Sequence, residues 1–230
     1  GPGDAVVKVK APFAPLAVVL DPDRWVLAQI SAEKTNDEWI YLIKNGSNFS
    51  VRASAVEGAG SAVTLAVLKD ILAGNDHFEV KAAAIKRLRL FNHDTDAAMA
   101  EIRGIARPYL TNPNDALRTA ACTLFGAMKD KVVVPDLIDI LQNDSNWRIS
   151  MQAALSLGFI GDARAFDALV AELYRKPQRG YLGAMVAKAL GYLGDQRATP
   201  HLLKILAEAQ EPRSRISYID SLGLLKDPAA

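Results

Sequence analysis

The chain has 230 residues, half of them apolar, and a formal net charge of +1 from 27 basic and 26 acidic side chains. That length and apolar share allow a sizeable core, while the balanced charge argues against a dedicated nucleic-acid binder, which carries a strong basic excess. No apolar run reaches the roughly 18 residues of a membrane-spanning helix, and the lone Cys122 leaves no disulfide framework and reads as a small buried hydrophobe.

Gly1-Pro2-Gly3 reads as the scar of a cleaved tag and is set aside. Residues 4–30 differ from the rest. Ala5-Val-Val-Lys-Val-Lys10 is β-branched and partly alternating, and Leu16-Ala-Val-Val-Leu20 follows Pro12 and Pro15. Both are expected as short strands or extended segments. Two strands alone are marginal, so they are expected to pack on the first helices or to belong to a preceding β-domain. Asp21-Pro-Asp-Arg-Trp25 supplies a turn and an aromatic that could plug the end of a helical stack.

From residue 31 to residue 230 the pattern is helical. Apolar periodicity predicts helices over 36–44 and 49–60, 61–73 and 78–91, 95–110 and 115–128, 132–141 and 147–160, 163–174 and 181–193, and 199–209 and 214–225. That makes about twelve helices in six pairs. Polar breakers such as Asn112-Pro-Asn-Asp115 and Asn143-Asp144 separate one pair from the next. Pro135 and Pro200 sit in first turns, where the missing N–H is not needed.

The pairs repeat. Arg118 to Asp130, Ser150 to Asp162, Gly183 to Asp195 and Arg215 to Asp227 align on their final aspartates, at steps of 32, 33 and 32 residues. A Gly four residues before the Asp recurs as Gly126, Gly158, Gly191 and Gly223, and a second precedes it as Gly161 and Gly194. Such glycines either let backbones approach or end the helix in a left-handed residue; the Asp can cap the next helix. Weaker copies lie on Val51-Arg52 and Val80-Lys81, and the step from Lys81 to Arg118 is 37 residues. Hairpins at this period bury their apolar faces only by stacking. The expected fold is therefore all-α, a right-handed α-solenoid of helical hairpins with a short β remnant before it. The last four residues, Asp227-Pro-Ala-Ala230, fall where earlier copies begin their next helix, so the repeat is expected either to continue or to end on its last pair as a cap.

Chemistry is sparse. His77, His93 and His201 have no partner at metal-ligand spacing, and no phosphate-loop, dinucleotide or Gly-x-Ser-x-Gly pattern occurs. No catalytic residue, metal or cofactor is expected of this chain. Three glycosylation-sequon matches, at Asn45, Asn48 and Asn143, coincide with turns. The basic residues Arg52, Lys81, Arg118 and Arg215 share one repeat position, with Arg148 two residues off it. They form either cross-turn pairs with residues such as Asp76 and Asp115 or an anion-binding groove; Ser150 and Gly183 interrupt the series. Trp147, Tyr174, Tyr181 and Tyr192 lie near turns of the last repeats, with Arg175, Arg179 and Arg213 around them. Exposed aromatics and arginines dominate binding hot spots.

Ile149-Ser-x-x-Ala153-x-x-x-Leu157-Gly158-x-x-Gly161-Asp162 resembles the short HEAT repeat of phycobilisome-lyase-like proteins, over about residues 36 to 227. Repeats one and two lack the Gly-Asp ending. Leu20-Asp-Pro-Asp-Arg-Trp-Val-Leu27, with Glu33-Lys34 and Asn36-Asp-Glu-Trp39, is similar to the junction between the β-sandwich and the helical C-terminal domain of aminopeptidase-N-like gluzincins. In that family the zinc site lies in an upstream domain, so no catalytic residue carries over. Together these resemblances imply a non-catalytic HEAT-repeat scaffold for a protein or peptide, capping a metallopeptidase active site and touching other domains of its parent chain. The alternative is a stand-alone HEAT adaptor that binds a protein on its concave face. Neither nucleic acid nor membrane is an expected partner; a bilin lyase or HEAT-type glycosylase would need a tetrapyrrole pocket or a strongly basic groove. The compartment stays open, with the cytoplasm favoured.

Overall fold

The computed structural model describes residues 10, 12–23, 33–91, 93–175 and 180–225, apart from the side chains of residues 180 and 181. It divides into two compact units, Gly1–Thr64 and Leu65–Ala230. The first holds α1 (Asn36–Asn45) and α2 (Phe49–Gly58). Thr35 opens α1 with a reciprocal cap: its hydroxyl accepts from the Glu38 N–H, and its own N–H donates to the Glu38 carboxylate at 2.7 Å. Asn48 caps α2 through the Val51 N–H and holds the upstream turn by donating to Asp23 at 3.0 Å. Leu42, Ile43, Val51, Ala55 and Val56 form the buried seam of this hairpin.

No strand occurs among the described residues. Residues 16–20, expected as a strand or extended segment, form none. Leu16, Val18 and Leu20 stand in solvent, and a lone strand without a partner leaves its backbone groups unpaired. Residues 5–9 and Trp25 lie outside the described residues.

The second unit holds α3 (Leu65–Ala73), α4 (Phe78–Arg87), α5 (Asp96–Ala106), α6 (Asp115–Met128), α7 (Val134–Asn143), α8 (Trp147–Ile160), α9 (Phe166–Tyr174), α10 (Gly180–Leu193), α11 (Ala198–Glu208) and α12 (Pro212–Leu225). Side-chain caps from His77, Thr95, Asn114 and Asn146 fix the starts of α4, α5, α6 and α8. Several boundaries depart from the periodicity: the helix expected through residue 91 ends at Arg87 and tightens into a 3-10 turn over Leu88–Leu90, and the one expected from residue 163 begins at Phe166 after a 3-10 turn over Ala163–Ala165. The helix expected from residue 61 begins at Leu65, because Gly60–Ala62 form a 3-10 turn and Val63 is extended at φ −86, ψ 112. The helix expected through residue 110 ends at Ala106 and tightens into a 3-10 turn over Arg107–Thr111, since Pro108 has no N–H to continue the α ladder.

The even-numbered helices α4, α6, α8, α10 and α12 pack side by side in one row, whereas the odd-numbered helices touch one another little. The even row is thus the closely packed side of this unit. Small residues make the close spacing possible. An ideal Cβ on Gly126 would stand 2.8 Å from Ser156, one on Gly158 2.6 Å from the Ala189 backbone, and one on Gly191 2.9 Å from the Ser221 carbonyl. Ser156 donates its hydroxyl across this contact to the Cys122 carbonyl at 2.7 Å. The second glycine has the other role: Gly161 and Gly194 end their helices at φ +69 and +74. The three repeat aspartates among the described residues then cap the following turn, Asp130 on Val132, Asp162 on Arg164 and Asp195 on Arg197, all at 3.0 Å.

Candidate functional site

The shared basic position turns inward to the backbone. Arg52 Nε donates to the Ile43 carbonyl at 2.7 Å, and Arg215 Nη1 donates to the carbonyls of Leu206 at 2.9 Å and Ala209 at 3.0 Å. Ser150, at the same position, reaches Ile140. Ile43, Ile140 and Leu206 all lie in the last turn of the partner helix, where carbonyls run short of intrahelical donors; the Ile140 carbonyl also accepts the Asp144 N–H at 3.1 Å. Arg118 donates to the Asn112 carbonyl at 2.7 Å, to Asp115 at 2.7 Å, and through two nitrogens to Asp144 at 2.8 and 3.1 Å. The Asp144 carboxylate holds its guanidinium pKa above the usual value. Lys81 is half-buried and forms no ion pair among the described residues.

Other arginines of the unit are also spent within it. Arg103 forks onto the buried Asp130 at 2.7 and 3.0 Å, and Arg107 pairs with Asp136 at 3.0 Å. Arg164 binds Asp162 and reaches back to the Lys131 carbonyl at 2.7 Å, pulling the Asp162 carboxyl down to about 2. Arg197 binds Asp195 at 2.6 Å and lies 4.1 Å over the Phe166 ring, and its hydrogen bonds hold the Asp195 carboxyl below its ordinary value. Burial pushes the Cys122 thiol up to about 12, which leaves it unreactive as a nucleophile. Two shallow depressions flank Pro108 on the odd-numbered row, and their charges pair off: Arg107 with Asp136, Lys69 with Glu101 at 2.6 Å. Among the described residues no three His, Cys, Asp or Glu side chains gather as metal ligands.

What the even row presents to solvent is different in kind. Counting back three residues from each repeat aspartate gives Ala127, Phe159, Tyr192 and Leu224, all exposed. Phe159 and Tyr192 meet across the α8–α10 seam with ring centroids 4.7 Å apart. Leu155 and Met151 continue the apolar face along α8, and Met185 along α10, each part-exposed. Lys188 Nζ stands 5.8 Å from the Tyr192 centroid, and at the start of α8 the Arg148 guanidinium lies 5.5 Å from that of Trp147. Trp147 and Arg148 therefore share this row with Tyr192. Tyr174 does not: on α9 its hydroxyl meets His201 Nδ1 at 3.0 Å, under Lys204. Arg179 and the Tyr181 side chain lie outside the described residues.

Phe159, Lys188 and Leu224 were not candidates from sequence. Their signal lay in the repeat register, in columns three and seven residues before the aspartate, which vary between copies while their neighbours stay small or apolar.

Residues 105–182 match the family model for HEAT repeats, and residues 184–208 match that of the PBS lyase HEAT-like repeat. Both stretches lie in the second unit and take in the hairpins described above. No curated protein matches the chain. The junction that resembles aminopeptidase-N-like enzymes falls outside both matched stretches and gains no support from them.

Proposed function

We propose that this chain is a scaffold without chemistry of its own, an adaptor that binds a protein or peptide partner on the exposed face of α8 and α10. HEAT repeats generally serve protein binding, and the single observation that carries the assignment to this face is the Phe159–Tyr192 pair. Two aromatic rings touch in solvent, with Leu155 and Met151 beside them, while the bonded arginines elsewhere serve the stack. Contiguous exposed apolar surface of this kind marks interaction sites, and aromatics near the centre carry most of the energy.

The test is selection of short random displayed peptides on the whole chain, followed by affinity measurement against variants. The Phe159→Ser, Tyr192→Ser double variant should weaken the selected peptides at least about tenfold, as expected for hot-spot residues. Tyr174→Ser, on the other row, should leave them unchanged. Peptides that bind all three proteins alike would place the site elsewhere.

A further inference from the structure

We infer that the α8–α10 face is built for an acidic partner segment bearing apolar side chains, an inference that rests on the proposed binding role of this face. Its basis is which charges the fold leaves unspent. Five arginines of the second unit are neutralised by aspartates: Arg103 by Asp130, Arg107 by Asp136, Arg118 by Asp144, Arg164 by Asp162, Arg197 by Asp195. At the exposed or part-exposed positions of α8, α10 and α12 such pairing stops. Arg148, Lys188 and Arg213 form no ion pair among the described residues. Arg148 and Lys188 each rest beside an aromatic ring instead.

Acidic residues are scarce there. Neither α8 nor α10 contains an Asp or Glu. On α6, Asp115 is taken up by Arg118 at 2.7 Å and by Asn146 at 2.7 Å. Asp220 on α12 is then the remaining acidic side chain on the exposed or part-exposed positions of α6, α8, α10 and α12, against Arg148, Lys188, Arg213 and Arg215, the last held by the carbonyls of Leu206 and Ala209. A chain with almost balanced total charge thus leaves unpaired positive charge along the row that carries its exposed aromatic pair, Lys188 beside Tyr192 and Arg148 and Arg213 near the starts of α8 and α12. Complementary potentials select partners and fix their register, and a carboxylate that approaches beside a desolvated aromatic surface interacts more strongly than it would in open water. Carboxylates of the segment would meet Arg148 and Lys188, and its apolar residues would cover Phe159, Tyr192 and Leu155.

Two peptide-display libraries test this, with the same randomised apolar positions and with either Asp, Glu and Ser or Lys, Arg and Ser at all others. On the whole chain the acidic library should enrich at least about tenfold over the basic one. The Arg148→Glu, Lys188→Glu double variant, checked for unchanged helical content and melting temperature, should abolish that preference or reverse it. Equal or greater enrichment from the basic library overturns the inference, and so does acidic enrichment that the charge-reversed variant leaves intact. If both libraries enrich alike and Tyr192→Ser abolishes both, the binding role stands and the charge preference falls. If neither enriches, both fall.

Discussion

Residue identity in this repeat is set by local backbone need, and Lys129 shows where the need is met badly. Gly161 and Gly194 occupy left-handed helix ends without strain, but the first well-formed copy places Lys129 there, at φ +53. A side chain with a Cβ in that region costs roughly 1–2 kcal/mol. The Lys129 side chain is exposed, so nothing visible offsets the cost. Lys129→Gly should therefore stabilise the protein, by a net of roughly 0.5–1 kcal/mol once the greater freedom of glycine in the unfolded chain is subtracted. Equilibrium denaturation in urea reads this directly; a lower midpoint for the variant would show that the ammonium contributes something its surroundings do not reveal. The shared basic position illustrates the opposite case. Arg, Arg and Ser at residues 52, 215 and 150 look dissimilar, yet each donates to a last-turn carbonyl of its partner helix. Sequence could identify the column. It could not distinguish a staple from a groove, because both need the same donor.

The helix-level pattern was the most legible in sequence, since periodic burial leaves a periodic trace. Gly126, Gly158, Gly191 and Gly223 recur in register, and three of them lie where the next helix of the row leaves no space for a Cβ. The fourth does not: a Cβ on Gly223 would meet nothing within 4 Å. Its helix also exposes Ile219, 53% accessible, at the position occupied by the fully buried Cys122, Ala154 and Ala187 in the copies before it. The same letter therefore stands in two environments, and opposite outcomes are expected. Gly158→Ala drives a methyl into the Ala189 backbone and should cost about 1–3 kcal/mol, the usual penalty of overpacking. Gly223→Ala adds a better helix former in open space and should stabilise by roughly 0.5–1 kcal/mol. Thermal melts of the two variants decide it. Equal destabilisation would mean that the α12 face is covered in solution. What periodicity could not supply were helix ends such as those at the extended Val63 and at Pro108, where a backbone constraint outweighs the apolar pattern.

At the scale of the whole molecule, stacking that involves only neighbours makes stability a local sum. Function was hard to read from sequence for the same reason. The exposed columns of a repeat answer to no packing constraint, so Phe159 and Tyr192 carry no periodic mark, whereas Leu157 and Leu190 two places away do. The sum also implies an order of opening. Helices α6, α8 and α10 are each flanked by two members of the even row, but among the described residues α12 packs in that row against α10 alone. Opening α12 breaks one interface of the row; opening α8 or α10 breaks two. Amide exchange through local opening tracks that difference. Loss of one helix–helix interface worth even about 1.4 kcal/mol corresponds to a tenfold change in protection. Hydrogen–deuterium exchange should accordingly be slowest in α6, α8 and α10, and faster by at least about tenfold in α12. Uniform protection along the row would indicate a single cooperative unit in place of additive neighbours. A bound partner that spans α8 and α10 would slow their exchange further and leave α12 as it was, which separates occupancy of the aromatic face from contact at the end of the row.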